Sequence, residues 1–410
     1  MLASSSVIDG SRPDRLGIVT LELSKVTSQV VQLGEQAAQR KRELDALAPQ
    51  VREILRVHRA DDQLIELAQR ATETKHWRGA VPIGEPLDSA IDPPAHPAQL
   101  SIVAGDGSQI YPDAHGIALY YLINIGTIVF RHGSNQAPIV NTYPSVSSEA
   151  ESQSDDEIIS GPMVNARRDV GELKRIADQA LTERTSTPTV ALMDGTLALW
   201  VQTAALPEAE QDRVQRDYLQ QLDRLREAQL PIGAFLSRPR STNLTQLAYL
   251  ASFDDPDKAL SSVMNDRGPA FKGLRDTTVL ATWLQPGQRS ALFEVAPAWN
   301  TTYRDRGHSI HFFYVNVGTT TQPKIARVEV PVWIAQDQTA VGLLHAAIVK
   351  QCKVSPGYPY VLARAHEIAV VTHAERAEFD NMIATQLARQ GLEAQPSEKA
   401  HQKALLASRR

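Results

Sequence analysis

The sequence has a single cysteine, Cys352, in 410 residues. One thiol cannot close an intrachain disulfide, and neither a paired zinc motif nor a dithiol redox motif can be built from it. No stretch approaches the roughly 18 consecutive apolar residues of a membrane-spanning helix. The opening, MLASSSVIDGSRPDRL, lacks the basic and then apolar order of a signal peptide. These absences predict a cytoplasmic chain with no membrane attachment. No GxxxxGK(S/T) run is present, which removes the P-loop reading. An excess of basic charge is also missing: the formal net charge is −5, whereas proteins that track a nucleic-acid backbone usually present a basic field. Net charge does not report distribution, and basic residues cluster at Arg40, Lys41 and Arg42, at Arg167 and Arg168, at Lys174 and Arg175, and at Arg238 and Arg240. For any one cluster alone, a solvated face is the plainer reading.

The residues that are present describe an ordinary globular protein, long enough for two or three domains or for one domain with insertions. From about Leu16 to Thr72 the chain is polar, with Leu44, Leu47, Val51, Ile54, Leu55 and Leu64 at helical spacing. This predicts a long helix or helical hairpin within residues 1–80, with Pro49 a kink or break. Five prolines mark 81–98 as a linker. Beyond it, LSIVAGDGSQIY, GIALYYLINIG and TIVFRHG read as three strands of an antiparallel meander. An acidic loop and a helix from Arg167 to Arg184 follow, then the buried strand TVALMDG, a helix around 209–228 and the strand PIGAFLS. Three antiparallel strands, a helix, a parallel strand, a helix and another strand is the order of a ribonuclease-H-like domain. The fold class is therefore α/β: a mixed sheet with flanking helices over 99–395, an insertion of helices and loops at about 242–300, and a polar tail at 396–410. Further strands are read at HSIHFFYVNVG and ARVEVPVWIA, a helix at about 338–350, and a last helix opened by the capping box Thr372-His373-Ala374-Glu375.

Two Asp-Gly dipeptides stand where strands end, at Gly105-Asp106-Gly107-Ser108 and Met193-Asp194-Gly195-Thr196. A carboxylate at a strand end, followed by a glycine that lets the backbone turn, can hold a divalent cation against a phosphate. A plain turn is the alternative for each, since Asp-Gly is a common turn dipeptide. The run LMDGTL resembles the haloacid dehalogenase motif, but Leu192 occupies the place of that nucleophile, so no phosphoaspartate can form. Length points to a third carboxylate. Glu172 lies about 18 Å from the helix end near Arg184 at helical rise, and Asp194 about 20 Å from Pro188 at strand rise. A helix packed antiparallel on that strand brings the two level, with Asp169 the alternative one turn away. Tyr358, Leu362 and His366 follow at i, i+4 and i+8 of a helix that Pro359 would open. A lone helix histidine is more often structural than a ligand, and His308 and His311 are left outside the site on that ground.

Taken together, GDGSQ at Asp106, LMDGTL at Asp194, LRDTTVLATWLQPGQRS at 274–290 and YPYVLARAH ending at His366 resemble the NurA family of DNA end-processing nucleases, the partners of HerA hexameric helicases. The resemblance runs from about residue 99 to 380, and its specificity lies in the order of short motifs. It implies a ribonuclease-H-like fold that dimerises and binds two divalent ions, usually manganese, with magnesium as the alternative. By motif, the metal-binding aspartates fall on Asp106 and Asp194, the histidine on His366, and a family tyrosine on Tyr358. The glutamate on the intervening helix has no sharp motif, so Glu172 rests on order and on the length argument. The implied activity is single-stranded endonuclease and 5′ to 3′ exonuclease cleavage in double-strand break repair. Two other readings stay open from the residues: a non-catalytic adaptor on a helicase, and an actin-like ATPase, which also uses Asp-Gly phosphate loops.

Overall fold

Period-2 and period-3.6 patterning alternate along most of this chain, and they assemble into one sheet with helices on both faces. The computed structural model describes residues 22–74, 77–113, 116, 118–148, 160–184, 187–199, 208–264, 271–296 and 299–392. The polar tail at 396–410 and most of the acidic loop after residue 148 lie outside them. Helices α1 (Thr27–Val57) and α2 (Asp62–Thr72) come first, and α1 runs through Pro49 without ending. Asp61 caps α2 by accepting from the amides of Gln63 and Leu64.

Nine strands follow: β1 (Ala80–Pro82), β2 (Leu100–Ile110), β3 (Tyr120–His132), β4 (Ile139–Ser148), β5 (Thr189–Asp194), β6 (Ile232–Leu236), β7 (Phe293–Val295), β8 (Ile310–Asn316) and β9 (Ile325–Pro331). Their order in the sheet is β1-β7-β8-β9-β6-β5-β2-β3-β4. Only β2 with β5 and β5 with β6 pair in parallel; the other neighbours are antiparallel. The parallel crossovers are made by α3 (Gly161–Glu183) and α4 (Glu208–Glu227). Past β6 come α5 (Asn243–Ala251), α6 (Pro256–Met264), α7 (Asp276–Leu280) and α8 (Asn300–Asp305), and past β9 come α9 (Val332–Ala335), α10 (Gln338–Val354), α11 (Tyr360–Ala369) and α12 (His373–Arg389).

Alternation sorts the strand side chains between two cores. Val103, Ala191 and Met193 face α3 and α4, packing with Leu173, Ile176 and Leu222. Ile102, Ala104, Val190 and Leu192 face the other way, packing with Leu344, Ile348, Leu362 and Ala365 of α10 and α11. No described helix is long and apolar enough to cross a membrane.

Three expectations are corrected here. The second and third strands of the meander are a single strand, β3, that passes straight through Gly126, and the third strand is instead β4. Gly126 is not a turn: a Cβ there would stand 2.6 Å from the Ala369 amide, so the missing side chain admits the end of α11. The proline-rich 81–98 is no free linker, since β1 pairs with β7 and Glu85 accepts both guanidinium nitrogens of buried Arg289 at 2.8 Å. The stretch 242–300 likewise contributes β7 to the sheet, while its α5 and α7 share a core with α1 and α2 through Val51, Leu55, Leu247 and Leu280.

Candidate active site

Strands β2 and β5 run side by side with Gly105 opposite Met193, so Asp106 and Asp194 follow at the same level on adjacent parallel strands. Asp106 continues the row of Ile102 and Ala104 and therefore points to the α11 side. His366 of α11 waits there, its Nδ1 2.7 Å from Asp106 Oδ2, while Asp106 Oδ1 accepts from the Gly107 amide at 2.8 Å. Asn124 Nδ2 and Ser108 Oγ both donate to the Ala369 carbonyl, at 2.9 and 2.5 Å, fixing the last turn of α11 over the sheet. This satisfies a helix-end carbonyl and sets the approach of His366.

Glu172 arrives from the opposite face. A Cβ on Gly107 would stand 2.6 Å from its Oε1, and a Cβ on Gly105 would stand 2.8 Å from Ile176. The two glycines of Gly105-Asp106-Gly107 thus let α3 lie close on β2. They do not turn the chain, for β2 continues to Ile110, and the expectation that Asp106 ends a strand is corrected. Gly195 is the different case: it has φ +86 with no atom near its missing Cβ, so there glycine serves the turn after β5. Because β5 stops at Asp194 while β2 runs on, β2 has no neighbour on that side beyond this level. Carboxylates from both faces can meet in that gap.

The electrostatics record this meeting. Burial first, then the charges of Asp169, Asp106 and Asp194, push the Glu172 carboxyl up to about 8, against the pull of Arg168. Arg168 Nε lies 3.1 Å from Glu172 Oε1, and the same guanidinium holds Asp169 Oδ1 at 2.7 Å. Asp194 is the exposed member of the group. Its carboxyl is still raised, by the protein atoms packed round its base and by Asp106, although the Tyr358 hydroxyl donates to it. Burial and the Asp194 charge hold the Tyr358 hydroxyl well above its usual range, so it stays a donor.

All five residues picked from the sequence therefore come to one end of the parallel strands. Tyr358 does so from two residues before α11, not from its first face, since the helix starts at Tyr360 with Pro359 as N-cap. Among the described residues, no group of three or more His, Cys, Asp or Glu side chains is drawn together as a ready coordination sphere. Each acid instead rests on a protein donor: Asp106 on His366, Asp194 on Tyr358, Glu172 on Arg168. The donor set, three carboxylates and an imidazole, nonetheless suits a hard divalent cation, and the burial and the neighbouring negative charges that raise Glu172 are both penalties a cation would offset.

Two contributors were not singled out from the sequence. Arg168 was read as part of a solvated face, though its i, i+4 spacing to Glu172 was a usable signal. Glu329 of β9 accepts from Thr196 Oγ1 at 2.6 Å and the Leu197 amide at 3.0 Å, pinning the turn after Asp194. Nothing local in the sequence announces that contact. A surface cavity of about 970 Å³ lies at the opposite end of the strands, among Thr189, Pro231, Trp333 and Leu343, and contains none of the five residues.

Comparison with known proteins gives the chain a family. A crystal structure of NurA is similar with a TM-score of 0.37 and 12% identity, over 85% of this chain and 97% of that one. The crystal structure of LC9-RNase H1, a type 1 RNase H with the type 2 active-site motif, is similar with a TM-score of 0.21 and 9% identity, over 43% of this chain and 78% of that one. No curated protein matches. Residues 100–371, well over half of the sequence and the span from β2 to the end of α11, match the family described as NurA domain, and the chain belongs to that family.

Proposed function

We propose that this chain is a divalent-cation-dependent deoxyribonuclease of the cytosol, cutting single strands internally and degrading ends 5′ to 3′ in double-strand break repair. The observation that carries the reading is the level placement of Asp106 and Asp194 on adjacent parallel strands, with buried Glu172 held over Gly107. The run β4-β3-β2-β5-β6, a meander followed by two parallel strands, supports a ribonuclease-H-like core within the mixed sheet. Asp106, Glu172, Asp194 and His366 would hold the metal, two manganese ions in this reading, with magnesium the alternative. When bound, a divalent cation supplies positive charge against a phosphodiester and acidifies water. The protein's own part is positional. Tyr358 orients Asp194, Glu329 fixes the turn behind it, and the capped end of α11 aims His366.

Fluorescent single-stranded DNA incubated with manganese, with and without chelator, tests the reading. Cleavage that chelator stops is expected. DNA or helicase binding without cleavage would favour an adaptor, and nucleotide turnover without DNA cleavage an actin-like ATPase. His366→Ala should weaken cleavage strongly and raise the manganese concentration for half-maximal rate, while its two-thirds-exposed side chain (66%) leaves folding intact. An unaltered manganese midpoint would return His366 to a structural role.

The same reading includes a homodimer that works with a HerA-type hexameric ATPase. One feature of α1 and of the 3-10 turn that precedes it (Leu23–Val26) supports self-association. Leu23, Val26, Val30, Leu33 and Ala37 follow alternating three- and four-residue steps, the seam of a two-stranded coiled coil. Val30 and Leu33 are 60% and 66% exposed, on a helix half that nothing covers among the described residues. Light scattering should therefore give a dimer at micromolar concentration and a monomer for a Val30→Asp, Leu33→Asp variant. A monomeric wild-type chain that does not co-elute with a HerA-type helicase would remove this part of the proposal.

A further inference from the structure

Most arginines in the sheet and its crossover helices are spent on carboxylates: Arg131 on Glu183, Arg167 on Glu210, Arg224 on Asp178, Arg289 on Glu85, Arg327 on Glu329. One group is not. Strand β6 pairs with β5 through Asp194 and Phe235, and the chain then leaves the sheet along 237–243. Arg238 and Arg240 are exposed there, on either side of buried Pro239. Arg238 follows two residues after the end of β6, three residues past the level of Asp194, a chain length of at most about 10 Å at strand rise.

Two more exposed arginines are tied to the same loop by its backbone. The Asp276 amide donates to the Ser241 carbonyl at 3.1 Å, which seats Arg275 beside it. Asn243 Nδ2 donates to the Arg78 carbonyl at 2.5 Å, and the Arg78 amide donates to Gln246 at 3.2 Å. Among the described residues, none of these four guanidinium groups has a carboxylate partner. Four like charges left unpaired repel one another, and in a chain of net charge −5 acids were available to pair them.

The loop that carries Arg238 and Arg240 is tied down where it enters α5. Buried Asp276 accepts from the Leu244 and Thr245 amides and from the Tyr314 hydroxyl, and Arg327 donates to Asn243 Oδ1 at 2.7 Å. Unpaired cations on a fixed frame beside a carboxylate site are the arrangement that grips a polyanion.

We propose that Arg78, Arg238, Arg240 and Arg275 form a phosphate-gripping rim that holds the backbone of single-stranded DNA as it enters the carboxylate site. This rests on the nuclease reading for its substrate, but its test does not need cleavage. The rim acts on phosphates, so it is blind to base sequence. It also explains how an acidic chain presents a local basic field.

The test is fluorescence anisotropy of a labelled oligothymidylate in chelator, titrated with salt, for the wild-type chain and for the Arg238→Ala, Arg240→Ala and Arg238→Lys, Arg240→Lys double variants. The alanine variant should bind about 10-fold more weakly, and its salt dependence should fall by about 1.4 in slope, roughly 0.7 for each lost single-strand contact. The lysine variant keeps the charges and should keep the slope. An alanine variant with wild-type affinity and slope would overturn the rim, as would a wild-type chain that binds no oligonucleotide. DNA binding with the expected slope but no manganese-dependent cleavage would leave the rim standing and remove the nuclease reading.

Discussion

Asp106→Asn and Asp194→Asn are each expected to cut DNA cleavage by at least about 10³-fold, equivalent to ~4 kcal/mol of lost transition-state stabilisation. Asparagine keeps the shape of each side chain and removes the charge that would hold a cation. Folding should survive both changes. Asp106 Oδ1 accepts from the adjoining Gly107 amide, a contact the amide oxygen of asparagine can repeat. Asp194 lies at the exposed end of β5, and its carboxyl is raised by desolvation and then by the Asp106 charge, so neutralising it relieves both penalties. Single-turnover cleavage of labelled single-stranded DNA in manganese, with circular dichroism melting alongside, measures both halves of the expectation. If either variant turns over near the wild-type rate, the two-strand metal site is wrong.

Glu172→Gln should separate activity from stability in the opposite direction. It is expected to abolish cleavage while raising the melting temperature of the metal-free protein at neutral pH. The Glu172 carboxyl is raised from 4.5 to about 8, chiefly by burial. The folded state therefore keeps a proton that the unfolded state has lost, and stability falls as pH rises from about 4.5 to about 8. Below that window both states are protonated and no penalty remains. Glutamine is neutral throughout, so its advantage should be absent near pH 4 and reach on the order of 4 kcal/mol at pH 7.5, or several degrees of melting temperature. Manganese should raise the wild-type melting temperature and leave that of the glutamine variant unmoved. Asp169→Asn should cost less activity, because Asp169 is held by Arg168 at the rim of the group. Equal melting shifts at pH 4 and pH 8 would sink the protonated-carboxyl argument, and a more severe Asp169 variant would move the third carboxylate there.

Much of the architecture was legible because it is written in local periodicity. The buried runs of β5, β6, β8 and β9, the helices α3, α4 and α10, and the capping box of α12, in which Thr372 and Glu375 exchange hydrogen bonds, all follow from patterns a few residues long. The site was legible in a different way. Asp106, Asp194 and His366 stood out through short motifs, and Glu172 through a comparison of helical and strand rise that needed only the assumption that α3 packs back on β5.

The glycines mark where local reading stopped. A glycine in a sequence says that a side chain is missing, but not whether the backbone needs to turn there or a neighbour needs the space. At Gly195 the positive φ decides for the turn; at Gly105, Gly107 and Gly126 the approach of α3 and α11 decides for space, and with it β3 stays unbroken and Asp106 sits inside β2. The same limit hid the pairing of Arg168 with Glu172 and the lack of a carboxylate partner for Arg238 and Arg240 among the described residues, two basic clusters that look alike in one dimension. By itself the sequence determined most of the order of helices and central strands and which side chains are candidates for the chemistry, because hydrophobic period and residue type act over neighbouring positions. Tertiary structure alone decided that N-terminal helices and the 242–300 segment share one core, that Glu172 is buried among acids, and which arginines are left free, because burial and ion pairing depend on partners tens to hundreds of residues away.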